Sequence, residues 1–369
     1  FHHRVRSRSQ TLDVLSNLMA GSEMNIPIEA VITTDVLVIG SGGSGLMAAI
    51  EARKTGVDVI VATKGLMRNC TIMSGGGISA ALGITNPEDC PKAHFQDTLD
   101  AGRYLNDTRL VKIFVVSAPS LIGTLQKMGV PFKSADDRLF QYRGAGHTFA
   151  RGLQVSDKAV TAGVSLVKPL IWIARSLGVG FCEEMTIIDL VRDSDGVQGA
   201  IGLDRKKNRM IVVEAKSTVL CTGGLGQLYS NTNNPPGTIG DGYAMAIRAG
   251  ARLVDMEFVQ FYPFSICEPG LPRWNIGYEQ VIDAGGTFVN EKGENLLASQ
   301  IQESCRTTRD RLAIAVASEI RRSGSVFLDL RNVTEDSWTT PPRIRKIKQR
   351  YGPRKKIRVA PIVHYFMGG

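Results

Sequence analysis

The sequence predicts an α/β fold, and three observations predict it. Asp35 to Ile39 is a short apolar run of the kind that forms a parallel strand buried on both faces. Gly40-Ser41-Gly42-Gly43-Ser44-Gly45 follows at once and opens a helical stretch, Leu46 to Arg53, that ends near Gly56 before a second strand, Val57 to Ala62. Farther along, Met185 to Arg192, Val197 to Leu203 and Met210 to Ala215 alternate as an antiparallel meander does, with Asp195-Gly196 as a turn. Strand, glycine turn, helix and parallel strand make a Rossmann-like unit, and the meander extends it.

The remaining elements follow in chain order. Residues 1–32 are basic, then rich in Ser and Asn, without a strong period, and read as a leader or linker; the chain opens on Phe1, so a targeting signal is not legible. The segment from Asn69 to Gly83 is rich in Gly, Ser and Thr and reads as a loop lining a ligand. Asp107 or Thr108 caps a helix running to about Met128, with Gly129 as its stop, and a further helix covers Ala162 to Leu177. Thr218 to Cys221 reads as another buried strand running into Thr222-Gly223-Gly224, and Tyr243 to Ala249 as a helix. After Asp255 the texture changes, with aromatics and Pro between Phe258 and Pro263, a helix over Arg309 to Arg322 and a strand over Val326 to Leu330. These changes set a boundary near residue 256, between a dinucleotide-binding domain at 33–255 and an inserted second domain.

Composition narrows the classes of function. Ile113 to Leu125, the longest weakly polar stretch, is shorter than the roughly 20 apolar residues a membrane helix needs. The six cysteines lack CxxC spacing, which argues against zinc or iron–sulfur ligation and for free thiols in a reduced, cytoplasmic compartment. The net charge of +9 is accounted for by one run, Arg343 to Arg358, with nine basic and no acidic residues. A solvated face is the plain reading; an acidic partner subunit or anionic lipid surface comes next, and nucleic acid last, because no aromatic stacking pattern accompanies the charge.

The glycines carry the chemistry. In Gly40-x-Gly42-x-x-Gly45 the first glycine permits the tight turn, the second lets backbone N–H groups approach a pyrophosphate, and the third lets the helix pack on the strand. Ser41, Gly43 and Ser44 complete the loop at a helix N-terminus, whose partial positive charge suits a diphosphate. The acidic ribose partner expected about twenty residues on is replaced by Ala62-Thr63-Lys64, which weakens a nicotinamide dinucleotide. Thr63 retains a hydroxyl for a ribose, while Lys64 suits a phosphate or solvent. Gly75-Gly76-Gly77 and Gly223-Gly224 add two more stretches of bare backbone, so one long dinucleotide crossed at three places is expected.

These residues resemble the flavoprotein family of succinate dehydrogenase, fumarate reductase and L-aspartate oxidase. The likeness runs from Thr33 to Gly369 through the glycine motif, the Lys64 to Gly77 loop, His94-x-x-Asp97-Thr98, Thr222-Gly223-Gly224-x-Gly226, Gly240-Asp241-Gly242, Met256-Glu257-Phe258-Val259-Gln260, Arg309-Asp310, Leu328-Asp329-Leu330-Arg331 and His364-Tyr365-Phe366-Met367-Gly368-Gly369. The resemblance implies FAD held by Gly40 to Gly45, Thr63, Lys64, Cys70, Thr71, Gly76, Gly77, Thr222, Gly223, Gly224 and Asp241. It also implies an inserted α+β capping domain at 256–357 over the flavin, the start of a return to the first domain at 358–369, and hydride transfer between flavin N5 and a C–C bond beside a carboxylate. Arg309 falls on the family's catalytic Arg, Glu279 on its relay Glu, and His364 on a ligand of the substrate carboxylate. The family's ribityl-binding stretch and second substrate Arg would follow Gly369.

Departures from the family pattern redirect the expectation. Cys70 stands where respiratory members attach flavin through His, so the FAD is expected to be non-covalent and its potential lower. Tyr262 stands where the family has a second substrate His, Tyr278 where the dicarboxylate enzymes have Thr, and Ile282 in place of a second relay Arg. The substrate expected is therefore a small carboxylate other than succinate. The alternative is a flavin electron-transfer subunit with a degenerate substrate site. Either form leaves room for a partner subunit and, through it, peripheral membrane association.

Overall fold

The computed structural model describes residues 28–75, 77–144, 146–155, 162–268, 274–296, 308–333, 347, 350–351 and 356–369. Of the basic run, only Arg350, Lys356 and Arg358 fall among them.

Two sheets organise the chain. The first contains β1 (Ile28–Ile39), β2 (Val59–Ala62), β3 (Gly180–Cys182), β4 (Met185–Asp193), β5 (Gly196–Asp204) and β6 (Arg209–Leu220), in the spatial order β3-β2-β1-β6-β5-β4. β3, β2, β1 and β6 run parallel, and β6, β5 and β4 form the antiparallel meander. Burial on both faces is literal: Leu37 and Val38 are each 0% exposed. Val38 joins Leu46 and Ile50 of helix α1 (Gly43–Lys54) on one side, while Leu37 and Ile39 meet Ile211, Val213 and Met245 on the other.

Three boundaries differ from the sequence reading. β1 starts at Ile28, inside the stretch read as leader, and pairs there with Met210. Met210–Ala215 and Thr218–Cys221 are not two strands: β6 is continuous over twelve residues, the meander's last strand and β1's parallel neighbour at once. Lys216 and Ser217 break the apolar pattern without breaking the strand, because the exposed Lys216 ammonium pairs with Asp35 of β1 at 2.6 Å. Asn69–Gly83 is not wholly loop either. It holds a short helix, Cys70–Met73, capped by the Asn69 side chain, and a strand, Gly77–Ser79, that pairs with Gly152–Gln154 and buries Ile72, Ala80 and Ala81.

Helix α2 (Pro91–Ala101) leads to α3 (Thr108–Lys127), where Asp107 accepts from the Arg109 and Leu110 amides, as its N-cap role requires. At 20 residues α3 is long enough to cross a bilayer, but Val111, Val115, Ala118, Ile122 and Leu125 face the interior at helical spacing. Helix α4 (Ala162–Ser176) covers the α1 side of the sheet, and α5 (Asp241–Arg248) the other.

The second sheet is wholly antiparallel, with β7 (Val259–Ile266), β8 (Trp274–Asn275), β9 (Thr287–Asn290), β10 (Val326–Asp329) and β11 (Ile357–Phe366) in the order β8-β7-β11-β10-β9. Helix α6 (Arg309–Ser323) packs on it through Leu312 and Val316. β11, read from sequence as the start of a return, is the centre strand here, so the second unit extends to Phe366.

Candidate active site

The glycine turn has the geometry its residues dictate. Gly40 has φ +112, and a Cβ there would collide with the Cys221 carbonyl; a Cβ on Gly45 would strike the Gly40 carbonyl. Neither position accepts a side chain, the first for the turn and the second for helix-on-strand packing. Gly42 and Gly43 are different, since a Cβ on either would meet only Thr71, at 3.4–3.5 Å, so their bareness leaves the N-terminal end of α1 approachable. The surrounding loops hold that end still. Thr71 Oγ1 accepts from the Gly43 amide at 3.0 Å, Asn69 Nδ2 donates to the Ser41 carbonyl at 3.2 Å, and the buried hydroxyls of Ser41 and Thr63 lie 2.7 Å apart.

Other residues selected from sequence have mixed placements. Thr63 Oγ1 also accepts from the Gly65 amide, so its hydroxyl is engaged within the fold. The Lys64 ammonium pairs with Asp241 at 2.5 Å and donates to the Gly237 carbonyl, tying the end of β2 to α5. Thr222 packs against Gly242, where a Cβ would collide with its hydroxyl. Gly223 has φ +77 with open space around it, and Gly224 faces Phe366. Gly77 is bare beneath the Tyr142 hydroxyl, and Gly76 lies outside the described residues. Cys70 is exposed as a residue, yet its Sγ faces Thr238 and Asn234 at 3.9 Å, and burial pushes the thiol up despite the Thr238 hydrogen bond, which keeps it protonated.

The second sheet gathers a separate cluster. Tyr262 of β7 and Tyr278 are buried, with ring centroids 5.6 Å apart and edge to face; the His364 ring of β11 lies 5.7 Å from Tyr262. The Arg309 guanidinium sits 5.4 Å from the Tyr262 ring centroid. Four residues chosen from sequence thus meet at one place; the side chain of Glu279 lies outside the described residues, and Ile282 packs into the core. Arg309 is the first residue of α6, where the helix dipole disfavours a cation. Asp310 beside it is drawn to Arg103 at 3.0 Å, across from the first unit. Among the described residues no carboxylate pairs with the Arg309 guanidinium, which suits it to an incoming anion.

Beside this cluster lies a second one, of which sequence reading named His94 and Asp97 in the family motif but not Asp89, His147 or Arg151. Arg151 is 0% exposed and lies 2.8 Å from Asp89 and 2.9 Å from Asp97, close enough for ion pairing but outside hydrogen-bond angles. Next to it, burial first and then the charges of Arg151 and His147 push His94 down to about 4, while Asp97 opposes them. His147 is lowered for like reasons, with Arg309 among its neighbours. Neutral His94 therefore stabilises the fold in full above its unfolded value of 6.5, and that stability is lost as pH falls toward about 4. The amount is about 3 kcal/mol. Urea midpoints measured at pH ~7 and ~4.5 are expected to lie closer together in His94→Gln than in the parent; equal spacing would remove His94 from the acid response.

Comparison with known proteins fits this geometry. Residues 35–369 match the model of a family described as FAD binding domain. The chain belongs to that family. This FAD binding domain is 33% identical to a CoM/CoB fumarate reductase polypeptide from Methanothermobacter marburgensis, over 91% of the chain and 63% of that protein. It is 33% identical to an L-aspartate oxidase of Agrobacterium fabrum, over 90% of the chain and 63% of the relative. Among solved structures, an E. coli quinol fumarate reductase chain superposes with a TM-score of 0.81 at 26% identity, covering 92% of this chain and 62% of that one. Mycobacterium smegmatis Sdh1 gives 0.79 at 30% identity, over 92% and 60%. The chain spans about three fifths of the length of the curated relatives it matches. FAD is the cofactor of the family, and the residues fit it: Gly42, Gly43 and Gly223 leave backbone open, while Gly40 and Gly45 make the turn that exposes it.

Proposed function

We propose that the protein is an FAD-dependent oxidoreductase acting on a C–C bond next to a carboxylate, with a substrate other than succinate. The observation that carries this reading is the meeting of Arg309, Tyr262, Tyr278 and His364 on the second sheet. FAD, when bound, supplies hydride exchange at one carbon of that bond. The chain's own residues must hold the substrate and exchange the matching proton at the neighbouring carbon. Arg309 serves both needs: its planar fork clamps a carboxylate, and its guanidinium moves the proton, relayed by Glu279. His364 anchors the carboxylate from β11. Tyr262 and Tyr278 replace small donors by buried aromatic walls, which exclude water and favour one carboxylate with an apolar remainder over a dicarboxylate. Two relatives are named as subunits of larger enzymes, which supports an electron-transfer partner subunit here as well.

The test is anaerobic reoxidation of the reduced, flavin-loaded full chain by fumarate, crotonate and larger enoates, followed by absorbance. A monocarboxylate enoate is expected to react at least about tenfold faster than fumarate, the ratio set by some 1.4 kcal/mol of differential binding. Reoxidation by a partner protein, with every enoate inert, would instead support an electron-transfer subunit.

A further inference from the structure

Asn233, in the segment Asn231–Asn234, lies 131 residues before His364, yet the segment is strapped to the strand that carries it. The Val363 amide donates to the Asn231 carbonyl at 2.9 Å, the Asn233 amide donates to the Val363 carbonyl at 3.3 Å, and Thr232 forms a parallel bridge with Val363. Gln227 Nε2 holds the segment from behind by donating to the Asn234 carbonyl. The strap places two side-chain amides against His364, and hydrogen-bond polarity decides how they are turned.

The His364 carbonyl can only accept, so the group 2.9 Å from it must be the NH2 of Asn234. That same NH2 reaches Asn233 Oδ1 at 3.2 Å. Asn233 is thereby oriented with its own NH2 toward His364 Nδ1, at 2.8 Å. An NH2 group only donates, so Nδ1 must accept, and in the neutral ring the proton then sits on Nε2. Nδ1 also lies 3.2 Å from Asn233 Oδ1, but a proton on Nδ1 would be pressed against the nearer NH2. The rings of Tyr262 and Tyr365 pack against the imidazole, with centroids 5.7 and 4.0 Å away.

We propose that Asn233 is the positioning residue of His364: it holds the proton on Nε2, so that the ring presents an N–H donor to the substrate carboxylate. The second half rests on the reading of His364 as a carboxylate anchor; the first half stands on the hydrogen-bond network alone. Opposite polarity would present a lone pair to an anion, a repulsive contact.

Nitrogen-15 spectra of histidine-labelled, FAD-loaded protein test both halves. The sequence holds five histidines, and a His364→Gln variant assigns the signal. The Nε2–H form is expected to exceed Nδ1–H by about tenfold, the ratio one net hydrogen bond supports. Asn233→Asp, whose carboxylate only accepts, should reverse that ratio and raise the KM for crotonate about tenfold with a smaller effect on kcat. A parent protein in the Nδ1–H form overturns the proposal without any variant, as does a tautomer that ignores Asn233→Asp. Saturating crotonate should move the Nε2 signal in the parent. An unmoved signal with the Nε2–H form intact overturns the carboxylate half alone and separates its failure from that of the network.

Discussion

Arg309→Lys is expected to keep the flavin and lose turnover by at least about a hundredfold, the scale on which one transition-state donor is felt. A lysine ammonium is a point donor on a flexible stem and cannot offer the two parallel N–H bonds of a guanidinium. It also gives up the planar face set 5.4 Å from the Tyr262 ring centroid. Stability should change little, because Arg309 is half-buried and its place at the start of α6 already opposes the helix dipole. Flavin absorbance and thermal midpoint serve as controls, and steady-state kinetics give the answer. Turnover within about threefold of the parent would remove Arg309 from the chemistry.

Gly40→Val should act at the other end of the molecule and by another route. The backbone at φ +112 disfavours any side chain, at a cost of about 1–3 kcal/mol. The added Cβ would also collide with the Cys221 carbonyl, so β1 and β6 must part where they cradle the turn. The expected protein is colourless, with flavin affinity lowered beyond measurement and a reduced thermal midpoint. Gly56→Ala is the matched control, since its φ of +91 carries similar backbone strain while its Cβ would meet nothing within 4 Å. Retention of bound flavin in Gly40→Val would mean that the turn does not shape the cofactor site.

The contrast between these positions shows what was legible in the chain. Gly40 and Gly45 are local: their roles follow from a turn and a helix a few residues away. Leu37, Val38 and Ile39 announce a doubly buried strand through their own composition. Lys216 misled because its partner, Asp35, lies 181 residues earlier, and an ion pair across neighbouring strands leaves no mark in the local pattern. The same distance hides Asn233, an ordinary loop residue until β11 brings His364 to it. Thr63 was chosen for its hydroxyl, which the fold spends on Ser41 and Gly65. Residues 358–369 were read only as the start of a return, because a strand's sequence does not say which sheet it will join.

That last strand has a consequence for how the molecule is made. Among the described residues, the pair β7 and β8 and the pair β10 and β9 are joined in the sheet through β11, which stands between them. Until residues beyond Ile357 are made, these are two strand pairs not yet joined by hydrogen bonds, with Phe264 and Ile266 on one and Phe288 and Leu328 on the other. The first sheet has all its strands by Leu220 and the helix that covers its second face by Arg248, so it can close much earlier. Birth of the nascent chain therefore has a fixed order, nucleotide half first, with a late interval in which sticky, unmated edges depend on a chaperone or on speed.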